Sequence, residues 1–309
     1  VDIAAANSGS IYVLATSDSI AGAGRNDDMV IVKYNTGGVE QWDLRYDGNQ
    51  DNDRGIALAL DASENIHITG RSSDGTFDNI ATLKVDKNGT ILWEEVFDDS
   101  LSLDDDVNAI SIDNSGNVYI CGQLDTDPDA VATDDDALII KYNSSGVEQW
   151  ISTFDNSTSD RFRSIVVDNS GNVYSTGSNL NGSNDDYYTV KLDSTGNLQW
   201  AKTYDGAAFQ DDDAVGGSVD QSGNAYVTGT SDIDVDTSAG NNNYVTIKYD
   251  ANGNISWTKS YDGTDSDDDE AAAMHIDASN NVYVAGTSKN GTTQRDILTI
   301  KYASAGTES

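Results

Sequence analysis

The chain has 309 residues, and its 53 Asp and Glu against 17 Lys and Arg give a formal net charge of −36 at pH 7. This excess argues against a nucleic-acid partner, because a phosphate backbone requires a basic protein face. No apolar run reaches the roughly 18 residues of a membrane helix, which argues against membrane insertion. The single cysteine, Cys121, excludes an intrachain disulfide.

A pattern close to Asp-x-Ser-Gly-Asn, followed by a short apolar run, recurs along the whole chain. Its six copies lie at residues 7–15, 61–70, 113–122, 168–177, 220–229 and 277–286. Repetition at a period of about 50–57 residues with strand-like segments is typical of a propeller or a solenoid. We therefore predict one domain over residues 1–309, made of six repeats.

Each repeat predicts four strands, which we name a to d in chain order. In the second repeat they cover residues 55–60, 66–70, 80–85 and 91–97. Their β-branched and aromatic residues alternate with polar ones, which favours strands over helices. The Asp and Gly residues between a and b, and between c and d, are those that close tight antiparallel hairpins.

Two residue types recur at fixed places in strands c and d. Strand d carries aromatic residues four positions apart, which share one face of the strand and predict packing between blades; the pairs are Trp42 and Tyr46, Trp93 and Phe97, Trp150 and Phe154, Trp200 and Tyr204, and Trp257 and Tyr261. Strand c carries Lys33, Lys84, Lys141, Lys191, Lys248 and Lys301. A lysine in a covered sheet needs a carboxylate or a ring beside it, so we predict that these lysines tie blades together.

Six copies of strands a, b and c are present but only five of strand d. We therefore predict an all-β fold, a six-bladed β-propeller of four-stranded antiparallel blades whose last blade lacks its outer strand within this chain. Propellers leave few open edges. We expect the missing strand to lie in residues outside this chain, or the sixth blade to be three-stranded.

The repeats resemble the bacterial β-propeller repeats called SBBP. The resemblance is carried by Asp-Asn-Ser-Gly-Asn-Val-Tyr at 113–119, by Ile-Lys-Tyr-Asn-Ser-Ser-Gly-Val-Glu-Gln-Trp at 140–150, and by Tyr-Asp-Gly at 46–48, 204–206 and 261–263. It covers essentially the whole chain and implies a secreted or cell-surface module. It implies no particular activity. The runs of aspartate between strands are denser than the family pattern.

The acidic residues are sorted toward one end of each predicted blade. The b–c and d–a loops hold 17 and 20 of them, or 37 of the 53. Two positions recur there: Asp53, Asp105, Asp160, Asp212 and Asp269 at the start of strand a, and Asp28, Asn79, Asp136, Asp186, Asn243 and Asp296 before the strand-c lysine. The nine aspartates of these sets are our candidate metal ligands, and if the propeller closes they form rings of oxygen atoms.

Calcium is the cation that we expect, because it takes six to eight oxygen ligands from flexible loops. Two other interpretations stay open. The aspartates could cap turns and pair with the lysines, or the acidity could be an adaptation to salt, although salt adaptation predicts acidic residues on both faces. No stretch matches an EF-hand loop, and Asp125-Thr-Asp127-Pro-Asp129 lacks its closing Gly and Glu.

No catalytic arrangement stands out. His67 and His275 do not recur at one position, and Cys121 replaces a threonine of other repeats, so we interpret all three as structural. We predict a secreted or cell-surface binding or scaffold module whose partners are divalent cations and a protein or glycan on a surface. The alternative is a carbohydrate-active propeller, either a lectin using exposed Phe77, Tyr187 or Phe209 or a glycoside-cleaving enzyme using paired carboxylates.

Overall fold

The structure, a computed structural model, describes residues 2–18, 27–48, 52–99, 103–126, 135–156, 158–182, 184–206, 211–232, 242–263, 268–289 and 295–308. These residues form 23 β-strands and no helix. Nothing in these ranges therefore has the form of an apolar helix that could cross a membrane. The strands belong to two compact units, Val1–Phe154 and Asp155–Ser309, so the single domain expected from the repeats stays a prediction.

The first unit contains three four-stranded antiparallel sheets in which each strand pairs with the next one in the chain. The first sheet has β1 (Asp2–Ala5), β2 (Ile11–Asp18), β3 (Asp27–Tyr34) and β4 (Glu40–Tyr46); the second has β5 (Asp53–Leu60), β6 (Ile66–Ser73), β7 (Asp78–Val85) and β8 (Ile91–Phe97); the third has β9 (Asp105–Ile112), β10 (Val118–Asp125), β11 (Asp135–Tyr142) and β12 (Glu148–Phe154). Each sheet corresponds to one sequence repeat, and we call it a blade.

The second unit contains two blades of four strands and one of three. Blade four has β13 (Asp160–Val167), β14 (Val173–Asn181), β15 (Asn184–Leu192) and β16 (Leu198–Tyr204); blade five has β17 (Asp213–Val219), β18 (Ala225–Asp232), β19 (Asn242–Tyr249) and β20 (Ile255–Tyr261); blade six has β21 (Asp269–Ile276), β22 (Val282–Lys289) and β23 (Arg295–Tyr302). The predicted fold class is confirmed, including the last blade without an outer strand.

The a–b turn forms where the sequence predicts it, and the third blade shows why. Asp113 Oδ1 accepts hydrogen bonds from the backbone N–H groups of Ser115 and Asn117, and Gly116 has a φ of 78°. A side-chain carboxylate thus satisfies the donors of a tight turn, and glycine takes the left-handed conformation without a steric cost. Asp168 and Asp220 make the same turn in blades four and five, whereas blade one has Ala6 in place of the aspartate and blade two has Glu64 in place of the glycine.

Consecutive blades within a unit pack through aromatic residues of strand d. The indole N–H of Trp200 in blade four donates to the carbonyl of Ala251 in the c–d turn of blade five, at 3.2 Å. Trp42, Trp93 and Trp257 make the equivalent bond to the next blade at 3.1–3.3 Å. The same indole packs on buried Tyr249 of the next blade, with ring centroids 5.8 Å apart. This confirms that the tryptophans fill the space between neighbouring blades.

The recurring lysines also bridge blades. Lys191 Nζ lies 5.0 Å from the centre of the Tyr174 ring in its own blade and donates to the Ala251 carbonyl in the next blade, at 3.1 Å. Lys33 and Lys248 combine the same two contacts. A cation over an aromatic face with a backbone acceptor beyond it stabilises a half-buried charge. The predicted structural role of these lysines is confirmed.

Candidate metal centres

The connection from strand d of one blade to strand a of the next has the same construction at all five joins. An aromatic residue ends strand d, an aspartate follows, and the backbone N–H of the third residue donates to Oδ2 of the aspartate that starts the next blade. These bonds join Gly48 to Asp53 (2.7 Å), Asp99 to Asp105 (3.3 Å), Asn156 to Asp160 (2.6 Å), Gly206 to Asp212 (2.5 Å) and Gly263 to Asp269 (2.7 Å). The bond orients each carboxylate and holds the loop against the next blade.

The carboxylates that start these blades are fully buried, with 0% of their surface exposed. Their Oδ1 atoms point away from that bond, and in the described part of the chain four of them accept no hydrogen bond: those of Asp53, Asp105, Asp212 and Asp269. A buried carboxylate oxygen without a partner is costly, and native proteins pair nearly all of them. Buried oxygens without a hydrogen-bond partner at equivalent positions are groups that a bound cation would satisfy.

At three joins further carboxylates gather beside the buried aspartate that starts the next blade. The groups are Asp28 with Asp47 and Asp53, Asp98 with Asp99 and Asp105, and Asp186 with Asp205 and Asp212; in each group, one oxygen from every residue lies within 4.8 Å of the others. We call them the first, second and third clusters. Each cluster combines the aspartate after strand d with the aspartate that starts the next blade, and the first and third clusters add an aspartate of strand c.

Burial and mutual repulsion disfavour ionisation in these clusters. Burial raises the pKa of Asp105 to about 7, and the nearby Asp99 and Asp98 add to the effect. Burial likewise raises the pKa of Asp212 to about 6, with contributions from Asp205 and Asp186. Such shifts arise where like charges gather without a counter-charge. A divalent cation would reverse both causes, since it supplies the missing charge and replaces water as the ligand.

The structure brings together part of the predicted ligand sets. Asp28 meets Asp53, and Asp186 meets Asp212, so members of the two recurring positions share a cluster at two joins. Asp105 instead meets two consecutive aspartates, and the strand-c position of the preceding blade holds the amide Asn79. Each grouping lies at the join between two consecutive blades, and the rings of oxygen atoms expected on closure stay a prediction.

The other predicted ligands belong to none of the three clusters found in the described ranges. Asp160 and Asp269 are buried and accept the join hydrogen bond, Asp136 is half-buried in β11, and Asp296 is exposed in β23. Asp127 and Asp129 of the acidic b–c loop lie outside the described residues. Blade six has no outer strand, so the position of Asp296 has no strand-d neighbour in its sheet.

The sequence interpretation missed the second member of the first and third clusters, Asp47 and Asp205, and the Asp98–Asp99 pair. The signal was present, because the aspartate after the strand-d aromatic recurs in all five copies, three times as Tyr-Asp-Gly. Those tripeptides are part of the family resemblance and were interpreted as a fold signature. Only pairing of the blades shows that this aspartate approaches the start of the next blade.

The residues considered for sugar binding or catalysis do not lie together in one site of the described chain. Tyr187, proposed as an exposed sugar-stacking ring, is wrong in that role, because it lies in β15 with 0% exposure and packs on Tyr204. Phe77 is half-buried, and Phe209 lies outside the described residues. Cys121 is buried. His67 is buried 3.4 Å from Asp61 Oδ2, whereas His275 is exposed, so the two histidines share no site.

Comparison with known proteins supports the fold and gives no activity. No protein-family model matches the chain, and no curated protein does. Among solved structures, the chain is similar to a protein of unknown function from Dyadobacter fermentans DSM 18053, with a TM-score of 0.53, 10% sequence identity, and coverage of 96% of this chain and 92% of that one. At this identity the similarity concerns the arrangement of strands alone.

Proposed function

We propose that this protein is a non-catalytic binding or scaffold module of the secreted or cell-surface kind, and that calcium ions bound at the joins stabilise its blades. The observation that carries the proposal is the buried, unpartnered Oδ1 of Asp212 beside two further carboxylates of the third cluster. A cation there would contact two consecutive blades at once. It would therefore add a tie to the hydrogen bonds and side-chain packing that already join consecutive repeats.

The ligand atoms favour calcium over other common metals. The clusters offer carboxylate oxygens, and neither histidine nor cysteine belongs to them, which disfavours zinc. Calcium accepts six to eight oxygens at 2.3–2.6 Å and tolerates irregular loops, whereas magnesium demands octahedral geometry and retains several waters. The hydroxyl of buried Ser231 lies beside Asp212 and would supply one further oxygen to the third cluster.

The proposal is tested by calcium titration followed by calorimetry, together with thermal unfolding in calcium and in EDTA. A site saturated at a hundred times its Kd stabilises the folded state by about 2.7 kcal/mol, so we expect calcium to raise the melting temperature by several degrees and EDTA to reverse the change. No heat of binding at millimolar calcium and identical melting curves would refute the calcium function.

A variant pair makes the test specific. Asp205→Asn removes one carboxylate of the third cluster and should lower calcium uptake by one ion. Asp43→Asn is the matched control, because Asp43 is exposed in β4 and outside the clusters, and it changes the net charge equally. An equal loss of calcium in both variants would indicate diffuse attraction to an acidic surface rather than a site.

A further inference from the structure

The first cluster differs from the third because it contains a cationic side chain. Arg45 in β4 places its guanidinium 2.5 Å from Asp28 Oδ2 and also donates to the backbone carbonyl of Ser17, at 3.3 Å. In the third cluster, the described residues include no such partner: no ion pair involves Asp186, Asp205 or Asp212. The two clusters therefore present similar carboxylates with different local charge, −2 against −3 when all are ionised.

The position of Arg45 is specific to the first blade. It is the residue before the aromatic that ends strand d, and the equivalent residues of the other blades are Val96, Thr153, Thr203 and Ser260. None of these carries a charge. A packing requirement common to all blades therefore does not explain an arginine at this position, while a local effect on Asp28 does.

The arginine fills only part of the first cluster. Asp28 Oδ1 and Asp53 Oδ1 are buried and accept no hydrogen bond in the described chain, although Arg45 holds Asp28 Oδ2. A guanidinium stays protonated at any ordinary pH and its fork is rigid. The cluster thus retains vacant oxygens for a metal ion, but an ion entering it would approach a permanent positive charge within a few ångströms, which opposes binding.

We propose that Arg45 is a built-in competitor for the cation of the first cluster, so that this join binds calcium more weakly than the third and fills at a higher calcium concentration. The inference rests on the proposed function, because it presupposes that the joins take up calcium. Its consequence is a graded response: at intermediate calcium the third cluster would hold its ion while the first cluster still relies on the arginine.

Calcium calorimetry on the full chain and two variants tests the inference. Arg45→Thr introduces the residue of blades three and four and removes the competing charge, so the weakest site should tighten by about ten-fold or more. Arg54→Thr is the matched control, because Arg54 pairs with Asp27 at 3.4 Å near the same join and, in the described residues, makes no ion pair with a cluster member. It should leave the isotherm of the first cluster within about two-fold of the wild type.

A second variant separates charge from packing. Arg45→Lys keeps the positive charge and should bind calcium as the wild type does, even if its melting temperature in EDTA changes. If Arg45→Thr and Arg54→Thr give the same isotherm while the wild type binds calcium, the inference is overturned and the proposed function stands. If none of the four proteins binds calcium, both fail.

Discussion

The backbone N–H of Asp99 donates a 3.3 Å hydrogen bond to Oδ2 of Asp105, while Oδ1 of the same fully buried carboxyl accepts none in the described chain. One oxygen of Asp105 therefore holds the loop that precedes its blade, and the carboxyl groups of Asp98 and Asp99 lie beside the same side chain. This division repeats at other joins. In each such aspartate one carboxylate oxygen has a structural role, and the other is available to a ligand.

The first prediction concerns pH in the absence of metal. Asp105 has a folded-state pKa of about 7, against an ordinary value of 3.8, so the folded state binds the proton more tightly than the unfolded state. Its contribution to stability is complete below about pH 4 and is lost as pH rises through 7, by up to about 4 kcal/mol. Denaturant unfolding in EDTA from pH 4 to 8 should show this loss.

Asp105→Asn isolates that contribution, because its amide oxygen can still accept the Asp99 bond. The variant should exceed the wild type in free energy of unfolding at pH 8 in EDTA, and the difference should vanish near pH 4. Saturating calcium should suppress the loss in the wild type alone, since the bound ion stabilises the ionised carboxylate. Parallel stability curves for the two proteins in EDTA would contradict the assigned pKa.

The second prediction concerns His67, which occupies the strand-b position of the tyrosine in other repeats. Burial, together with the charge of Lys84, lowers its pKa from 6.5 to about 4. The unfolded state then binds more protons between these values, so stability falls as pH drops from 6.5 to 4, by about 3 kcal/mol. The loss should be seen in the pH dependence of denaturant unfolding.

His67→Tyr removes the titrating group and restores the contact seen in other blades, where Tyr119 donates to Asp113 at 3.0 Å and lies under Lys141. The variant should lose less stability than the wild type between pH 6.5 and pH 4, with the difference appearing only in that window. A constant offset at every pH would show that the change acts through packing and leaves proton linkage unaltered.

The third prediction concerns the a–b turn of blade two. Glu64 has a φ of 62° at the position that glycine holds in most of the other turns. A left-handed conformation costs a residue with a Cβ about 1 kcal/mol, so Glu64→Gly should raise the free energy of unfolding by about that amount. Asn280 has a φ of 60°, and Asn280→Gly should gain less, because asparagine tolerates this conformation. Equal effects in chemical denaturation would argue against backbone strain.

The fourth prediction concerns the lysine ties. Lys191→Met removes a cation over a ring and a hydrogen bond to the next blade, and should cost about 1–2 kcal/mol in unfolding free energy. Lys301 lies 5.5 Å from the Tyr283 ring, and in the described residues it donates to no turn carbonyl. Lys301→Met should therefore cost about 1 kcal/mol less, and an equal cost would assign the whole effect to the ring contact.

The blade can be predicted from the sequence alone, because every element of a blade depends on residues close together in the chain. The Asp113 turn, the β-branched and aromatic residues of Val118–Asp125 and the tryptophan opposite Lys141 are local signals that recur in most repeats. The same counting predicts the last blade without its outer strand. Local hydrogen bonds and strand propensity do not depend on the neighbouring blade.

Which carboxylates meet depends on the tertiary structure. Asp186 and Asp212 belong to two separate recurring positions of the sequence, Asp205 lies in a Tyr-Asp-Gly tripeptide that indicates the fold, and Asp98 and Asp99 belong to neither predicted ligand set. Their approach within 4.8 Å depends on how one blade packs against the next, as does the place of Arg45 beside Asp28. Like-charged carboxylates repel one another, so no local sequence preference predicts these groupings. They form because packing between consecutive blades brings the carboxylates together.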